Sequence, residues 1–177
     1  EYFSDRGHSV IRWRSSFSHQ KKIQLQRNSC KVKHDNYYNY FIKARSYKRH
    51  LSIARTLSHY DLGKNFYSLA IDEEKPDFVH VANVPIELAY SVSKYCVNKS
   101  IPYMVDIRDL WPDIYIDFLP NYLAKLKPIL LKLLKTFYKK KLNFIFGNAL
   151  GISALTNSFL QWSLKKINRG KSDSDYI

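Results

Sequence analysis

Between Tyr103 and Asp113 the chain reads Tyr-Met-Val-Asp-Ile-Arg-Asp-Leu-Trp-Pro-Asp, placing three acids, an arginine and an indole within eight residues. Carboxylates beside a guanidinium can orient hydroxyls and neutralise the charge of a phosphate or a departing group. Pro102–Ile107 is rich in β-formers and alternates, which predicts a short strand. Pro112 ends any continuation. Asp106, Arg108, Asp109 and Trp111 are thus expected at a strand's carboxyl end, where open α/β sheets bind ligands. The plain alternative is a charged loop with a local Arg–Asp pair.

Other side chains with chemistry are scattered more widely. His19 lies in the polar run Ser-Ser-Phe-Ser-His-Gln at 15–20, ahead of Lys21 and Lys22. No second ligand lies at metal spacing, so a solvated basic loop is the simpler reading there. Arg55 and His59 form an i, i+4 pair, which also suits the outer side of a helix. His80 sits inside a β-prone run. Cys30 and Cys96 have no metal or redox spacing and are expected as free thiols in a reducing compartment. Gly-x-Gly-x-x-Gly, Walker, Gly-x-Ser-x-Gly and zinc patterns are all missing from the sequence.

The elements that must position these groups follow from periodicity. A Gly7-capped helix end is expected at the start, then a strand over Ser9–Trp13 and a loop over Ser15–Gln20. Gln24–Asn36 reads as a mobile polar excursion, and Tyr37–Ile42 as an aromatic strand. A helix is expected from Tyr47 to about Ile71, its stripe carried by Leu51, Ala54, Leu57, Leu62, Phe66 and Leu69, with Gly63 weakening it. Phe78–Ala82 is a strand, Ile86–Asn98 a helix begun near Pro85, and Pro102 opens the next strand. Strand, helix and strand with short joins make a βαβ unit with a parallel sheet. Pro112–Pro120 is a loop, and a long helix spans Asn121 to Asn148, with Pro128 a kink or its true first turn. Gly151–Leu155 is a strand, Ser158–Ile167 a helix capped by Thr156 or Asn157, and Asn168–Ile177 a tail closing no element. Those two ends make the chain look cut at both.

The chain has 177 residues and a net charge of +14, enough to attract nucleic acid, anionic lipid or phosphorylated substrates. The charge is uneven, since Phe118 to Ser172 holds no acid. Within that stretch Leu126, Leu130, Leu133 and Phe137 form an apolar stripe, and Lys125, Lys132 and Lys139 a basic one. Lys127, Lys135, Lys140 and Lys141 add charge. This helix is too lysine-rich to cross a bilayer. It suits an anionic membrane interface, or equally a core-facing helix with a solvated side.

Arg6-Gly7-His8, Ser-Ser-Phe-Ser-His-Gln at 15–20, Lys75-Pro76-Asp77, and Asp106-Ile-Arg-Asp-Leu-Trp-Pro-Asp113 together resemble the N-terminal domain of family 4 glycosyltransferases. The branch is the one that builds bacterial O-antigen and capsular polysaccharide, including amino-sugar transferases. Gly151-Ile-Ser-Ala-Leu-Thr is similar to the strand that crosses towards the family's second domain. The resemblance implies an α/β fold, a Rossmann-like parallel sheet with flanking helices that forms half of a GT-B enzyme. It implies retaining transfer from a nucleotide sugar to a lipid-linked acceptor, with no cofactor and generally no metal. It implies a cytoplasmic protein, peripheral on the inner face of the cytoplasmic membrane. The donor would be held mainly by a C-terminal domain that these residues do not contain, nor do they show the family's first strand and Gly loop. Such a piece is expected not to complete catalysis alone.

Carried over residue by residue, the resemblance makes Asp109 the group that orients reactants and Arg108 the one that neutralises phosphate charge. The family's usual His-Asp pair is Arg108-Asp109 here. Phe17 and His19 match a branch motif on the acceptor side, and Tyr47, Arg55 and His59 a weaker one; Asp106 and Trp111 complete the substrate-binding set. Lys125, Lys132, Lys135, Lys139 and Lys140 are the expected membrane contacts. The competing class is a basic α/β module that binds nucleic acid or other polyanions without catalysis. It is disfavoured because the bases gather on one amphipathic helix, and no nucleic-acid partner is expected.

Overall fold

The computed structural model describes residues 2–49, 52–114 and 125–177. The chain divides into two units, Glu1–Ser68 and Leu69–Ile177. Leu51 of the expected helical stripe, and the expected helix start from Asn121 to Ala124, lie outside the described residues.

The first unit opens with a 3-10 turn at Ser4–Arg6, closed by Gly7 at φ +84°. That left-handed backbone is open to glycine at no steric cost. The strands are β1 (Ile11–Ser15), β2 (Phe17–Ser18), β3 (Ile23–Gln24), β4 (Cys30–His34) and β5 (Tyr37–Ile42), followed by helix α1 (Ile53–Ala70). β1 runs parallel to β5 with Trp13 opposite Tyr40, and β4 runs antiparallel on β5's other side. The Trp13 and Tyr40 rings stack at 4.1 Å, and Phe66 of α1 meets Trp13 edge-on at 5.0 Å. Ser58, Leu62 and Phe66, buried at every fourth position, make the inner stripe of α1. The helix starts later than Tyr47 because the Ser52 hydroxyl caps it, accepting from the Arg55 N–H at 3.2 Å.

Three expectations fail in this unit. The segment from Gln24 to Asn36 is no structureless excursion, since it supplies the end of β3 and all of β4. Lys31, Val32, Lys33 and His34 are all exposed, so no inward apolar alternation marks this edge strand. Backbone pairing with β5 holds it, and lysines on an edge discourage further pairing. The sheet is also mixed rather than parallel, and Ser15–Gln20 contains β2, paired antiparallel with β3.

The second unit is the expected βαβ arrangement extended by one turn of the pattern. Its elements are β6 (Val79–Ala82), α2 (Ile86–Asn98), β7 (Tyr103–Ile107), α3 (Lys127–Gly147), β8 (Gly151–Ala154) and α4 (Asn157–Ile167). The sheet order is β6-β7-β8, all parallel. Central β7 buries Tyr103, Val105 and Ile107. Inside the core the Tyr103 hydroxyl donates to the Ile145 carbonyl at 2.7 Å, and burial pushes that phenol up to about 12. Pro128 stands in the first turn of α3, where its missing N–H costs nothing. Thr156 caps α4 by accepting from the Phe159 N–H.

The tail is a fourth correction, because it does join an element. Tyr176 bridges Ser153 of β8, and the buried Asp175 carboxylate accepts from the Ile152 N–H at 2.9 Å. A Cβ on Gly151 would stand 2.0 Å from the Ser174 carbonyl oxygen, so this close passage requires glycine. The polar residues 168–177 hide this role because their binding is through backbone and one acid rather than apolar burial. Cys30 and Cys96 are both unpaired, and burial raises the Cys96 thiol to about 12.

Candidate functional site

Parallel β6 and β7 bring their carboxyl ends side by side, so Asn83 lies next to the residues following Ile107. Asn83 is fully buried. Its backbone N–H donates to the Asp106 carbonyl at 2.9 Å. Its side-chain oxygen accepts from the Arg108 N–H at 3.0 Å, and its amide nitrogen donates to the Asp109 carbonyl at 2.7 Å. One side chain therefore fixes the course of the loop on both sides of Arg108. In the sequence Asn83 falls in the short join between the Phe78–Ala82 strand and the Ile86–Asn98 helix, where it does not stand out. Its signal was an amide between a β-run and a proline, at a strand's carboxyl end.

Asp106 is committed to positioning. One carboxylate oxygen accepts from the Ser153 hydroxyl at 3.0 Å, and the other from Arg108 Nε at 2.5 Å. The Arg108 side chain is nevertheless 63% exposed, and its terminal nitrogens have no partner among the described residues. Asp109 and Trp111 are half-buried. The Asp109 carboxylate makes no hydrogen bond or ion pair among the described residues. Further along, Asp113 accepts from Trp162 Nε1 at 2.8 Å and Lys166 Nζ at 3.1 Å, and Lys135 Nζ lies 3.6 Å away. The loop is thereby tied to α3 and α4 as well. It displays one guanidinium and one carboxylate on a frame held by hydrogen bonds.

The other five expected substrate-binding residues gather in the first unit, although they span positions 17 to 59. Phe17 from β2 packs on Tyr47 with ring centroids 4.8 Å apart. His19 Nδ1 lies 2.6 Å from the Tyr47 hydroxyl. From the first turn of α1, Arg55 Nε donates to His59 Nε2 at 3.4 Å. Arginine has no acceptor, so that imidazole nitrogen is unprotonated. Burial first, then the charges of Arg55 and His19, lowers His59 to about 4. Burial raises the Tyr47 phenol, and Arg55 opposes that rise through its charge and a hydrogen bond. Lys22 belongs to the same group and was not singled out in the sequence: its Nζ lies 4.6 Å from the Tyr47 ring centroid. Its position directly after Lys21 in a basic loop gave no hint of this.

Helix α3 shows two different faces. Tyr138, Leu142, Ile145 and Phe146 are buried. The stripe expected from Leu126, Leu130, Leu133 and Phe137 turns the other way. Leu133 and Phe137 are 63% and 65% exposed, Leu126 and Ile129 are exposed with them, and Leu130 is half-buried. Lys132, Lys135, Lys139 and Lys140 are exposed along the same helix, and Lys125 is exposed just ahead of it. Lys135 differs in facing Asp113, while Lys141 Nζ lies 3.7 Å from Glu87. No helix of the described residues is long and apolar enough to cross a membrane. Among the described residues no cluster of three or more His, Cys, Asp or Glu side chains could hold a metal ion.

Comparison of the chain with protein-family models, curated proteins and solved structures found no match.

Proposed function

We propose that this chain is the acceptor-side part of a retaining glycosyltransferase, half of a GT-B enzyme, working on cell-surface polysaccharide at an anionic membrane. It transfers a sugar from a nucleotide sugar to a lipid-linked glycan, together with a donor-binding half. The observation that carries this reading is the loop after β7. An exposed guanidinium and an accessible carboxylate stand at the carboxyl end of a central parallel strand, and buried Asn83 holds their backbone in place. Arg108 neutralises phosphate charge on the donor or the departing nucleotide, and Asp109 orients the reacting hydroxyl. Asp106 holds Arg108, and Trp111 offers an apolar face to a sugar. Phe17, His19, Tyr47, Arg55 and His59 form the acceptor-side group.

The outward stripe of α3 supports the membrane part. Leu126, Ile129, Leu133 and Phe137 recur at helical spacing, beside Lys125, Lys132, Lys139 and Lys140. Each lysine near an anionic leaflet contributes about 1 kcal/mol, and the apolar stripe adds burial in the acyl boundary. The protein then sits peripherally on the inner face of the cytoplasmic membrane.

Flotation on vesicles tests the location. Retention is expected on vesicles containing anionic lipid, with loss on neutral ones and on replacing Leu133 and Phe137 by Glu. Binding to duplex DNA with a steep salt slope, and none to vesicles, would instead support a nucleic-acid module. For the chemistry, Asp109→Asn in the enzyme carrying both halves is expected to lower kcat at least tenfold with little change in Tm. Equal losses would make Asp109 structural.

A further inference from the structure

We infer that the first unit carries a binding site for a phosphate or diphosphate group, built from Lys22, Tyr47, His19, Arg55 and His59. The starting observation is the Lys22 ammonium. Its Nζ is buried and has no hydrogen-bond partner. A buried ammonium without an acceptor is unfavourable, and native proteins rarely leave one so. The Tyr47 ring at 4.6 Å offers it a π face, which satisfies none of its N–H groups. An anion would supply that acceptor.

The surroundings suit an oxyanion with several oxygens. The turn between β2 and β3 holds Lys22 at φ 55°, with its N–H donating to the Ser18 carbonyl at 2.8 Å. Tyr47, itself buried, brings its hydroxyl within 2.6 Å of His19 Nδ1. Arg55 approaches from the first turn of α1, which contains no acid and presents the positive end of the helix. The carboxylate of Asp61, two turns further along α1, is occupied by Arg45 at 2.6 and 3.0 Å. His19 is exposed, so solvent reaches the group.

An ammonium, a guanidinium, a phenol and two imidazoles outnumber the two oxygens of a carboxylate. A phosphate or diphosphate offers enough acceptors and enough charge to engage them together. Arriving negative charge would also favour the protonated form of His59, now held low by burial and by the Arg55 guanidinium. The site rests on these side chains and not on sugar transfer, although under that reading a lipid-linked acceptor's diphosphate would be the natural occupant.

The test is calorimetric titration of the whole chain with inorganic diphosphate, alongside NMR titration of the His59 ring. Saturable binding is expected, weakened at least tenfold by Lys22→Met, which keeps the stem packed on Tyr47. Lys132→Met on α3 should leave it unchanged. The His59 midpoint should rise from about 4 by a unit or more when diphosphate is present. No saturable binding, or equal weakening by both variants, overturns the site. If Lys22→Met does not fold, the wild-type His59 midpoint decides, and an unmoved midpoint overturns it. Farnesyl diphosphate is the second arm. Binding tighter than inorganic diphosphate assigns the group to a lipid phosphate, and equal binding to a free one. Sugar transfer by the completed enzyme without diphosphate binding here would overturn the site and leave the transferase reading intact.

Discussion

The two groups of polar side chains are built on opposite plans. In the second unit Asp106 and Asp113 are already engaged by neighbours, and Asp109 is displayed on the frame they help to hold. Asp106 answers Ser153 and Arg108, and Asp113 answers Trp162 and Lys166. Buried Asn83 adds the backbone clamp, so the loop after β7 is defined by directional hydrogen bonds. In the first unit rings and cations are held together by burial and aromatic contact, with one ammonium left unsatisfied. The first plan fixes geometry before a ligand arrives. The second stores positive charge that a ligand can complete.

Removing the clamp should be the most damaging change. Asn83→Ala leaves the Arg108 N–H and the Asp109 carbonyl without their partner, at about 1–3 kcal/mol for each group. A loss of about 2–4 kcal/mol is expected in urea unfolding. A loss under about 0.5 kcal/mol would show the loop to be held by other contacts.

Acid should come next and should separate the units. His59 has a folded pKa of about 4 against an ordinary 6.5. Its burial as the neutral base therefore contributes fully above pH 6.5, and that contribution is lost as pH falls towards 4. The linkage is roughly 3 kcal/mol as an upper figure. In the second unit burial tends to raise the Asp175 carboxyl, but hydrogen bonds from Ser172, Arg169 and Ile152 outweigh it and hold the group below 3.8. Its contribution is present above that ordinary value and is lost only as pH falls below it. Amide exchange read unit by unit between pH 7 and 4 should show weakening first around α1. His59→Gln should flatten that slope, and parallel weakening of both units would erase the contrast.

The smallest effects belong to the displayed groups. Asp106→Asn should cost about 1 kcal/mol by weakening its charged hydrogen bonds. Arg108→Ala should change unfolding by less than about 0.5 kcal/mol, because the side chain is mostly in solvent. A larger loss from Arg108→Ala than from Asp106→Asn would make the arginine part of the frame rather than a group shown to a ligand.

The second unit was far more legible than the first, for a physical reason. Buried parallel strands and amphipathic helices write their burial into periodicity: Tyr103, Val105 and Ile107 alternate, and Ile86–Asn98 forms a helix at the bounds its pattern predicts. β4 carries Lys31, Lys33 and His34 and is held by its backbone, which leaves no such trace. The tail was missed likewise, since Asp175 and Tyr176 attach through hydrogen bonds to β8. For α3 the period was legible and the direction was not. Leu133 and Phe137 fit a core stripe as well as an outward one, and only the packing of Tyr138, Leu142 and Ile145 chose between them.

From its own order of residues the chain determined a parallel βαβ core and a strand closing at Ile107, with Arg108 and Asp109 directly after it. It also determined a lysine-rich helix within an acid-free stretch. Only the tertiary structure decided that Asn83 clamps that ending, that Asp106 supports rather than displays, and that Lys22, Arg55 and His59 each come to Tyr47. Local periodicity reports which side of an element is buried. Partners twenty or more residues apart are chosen by packing, which no local pattern records.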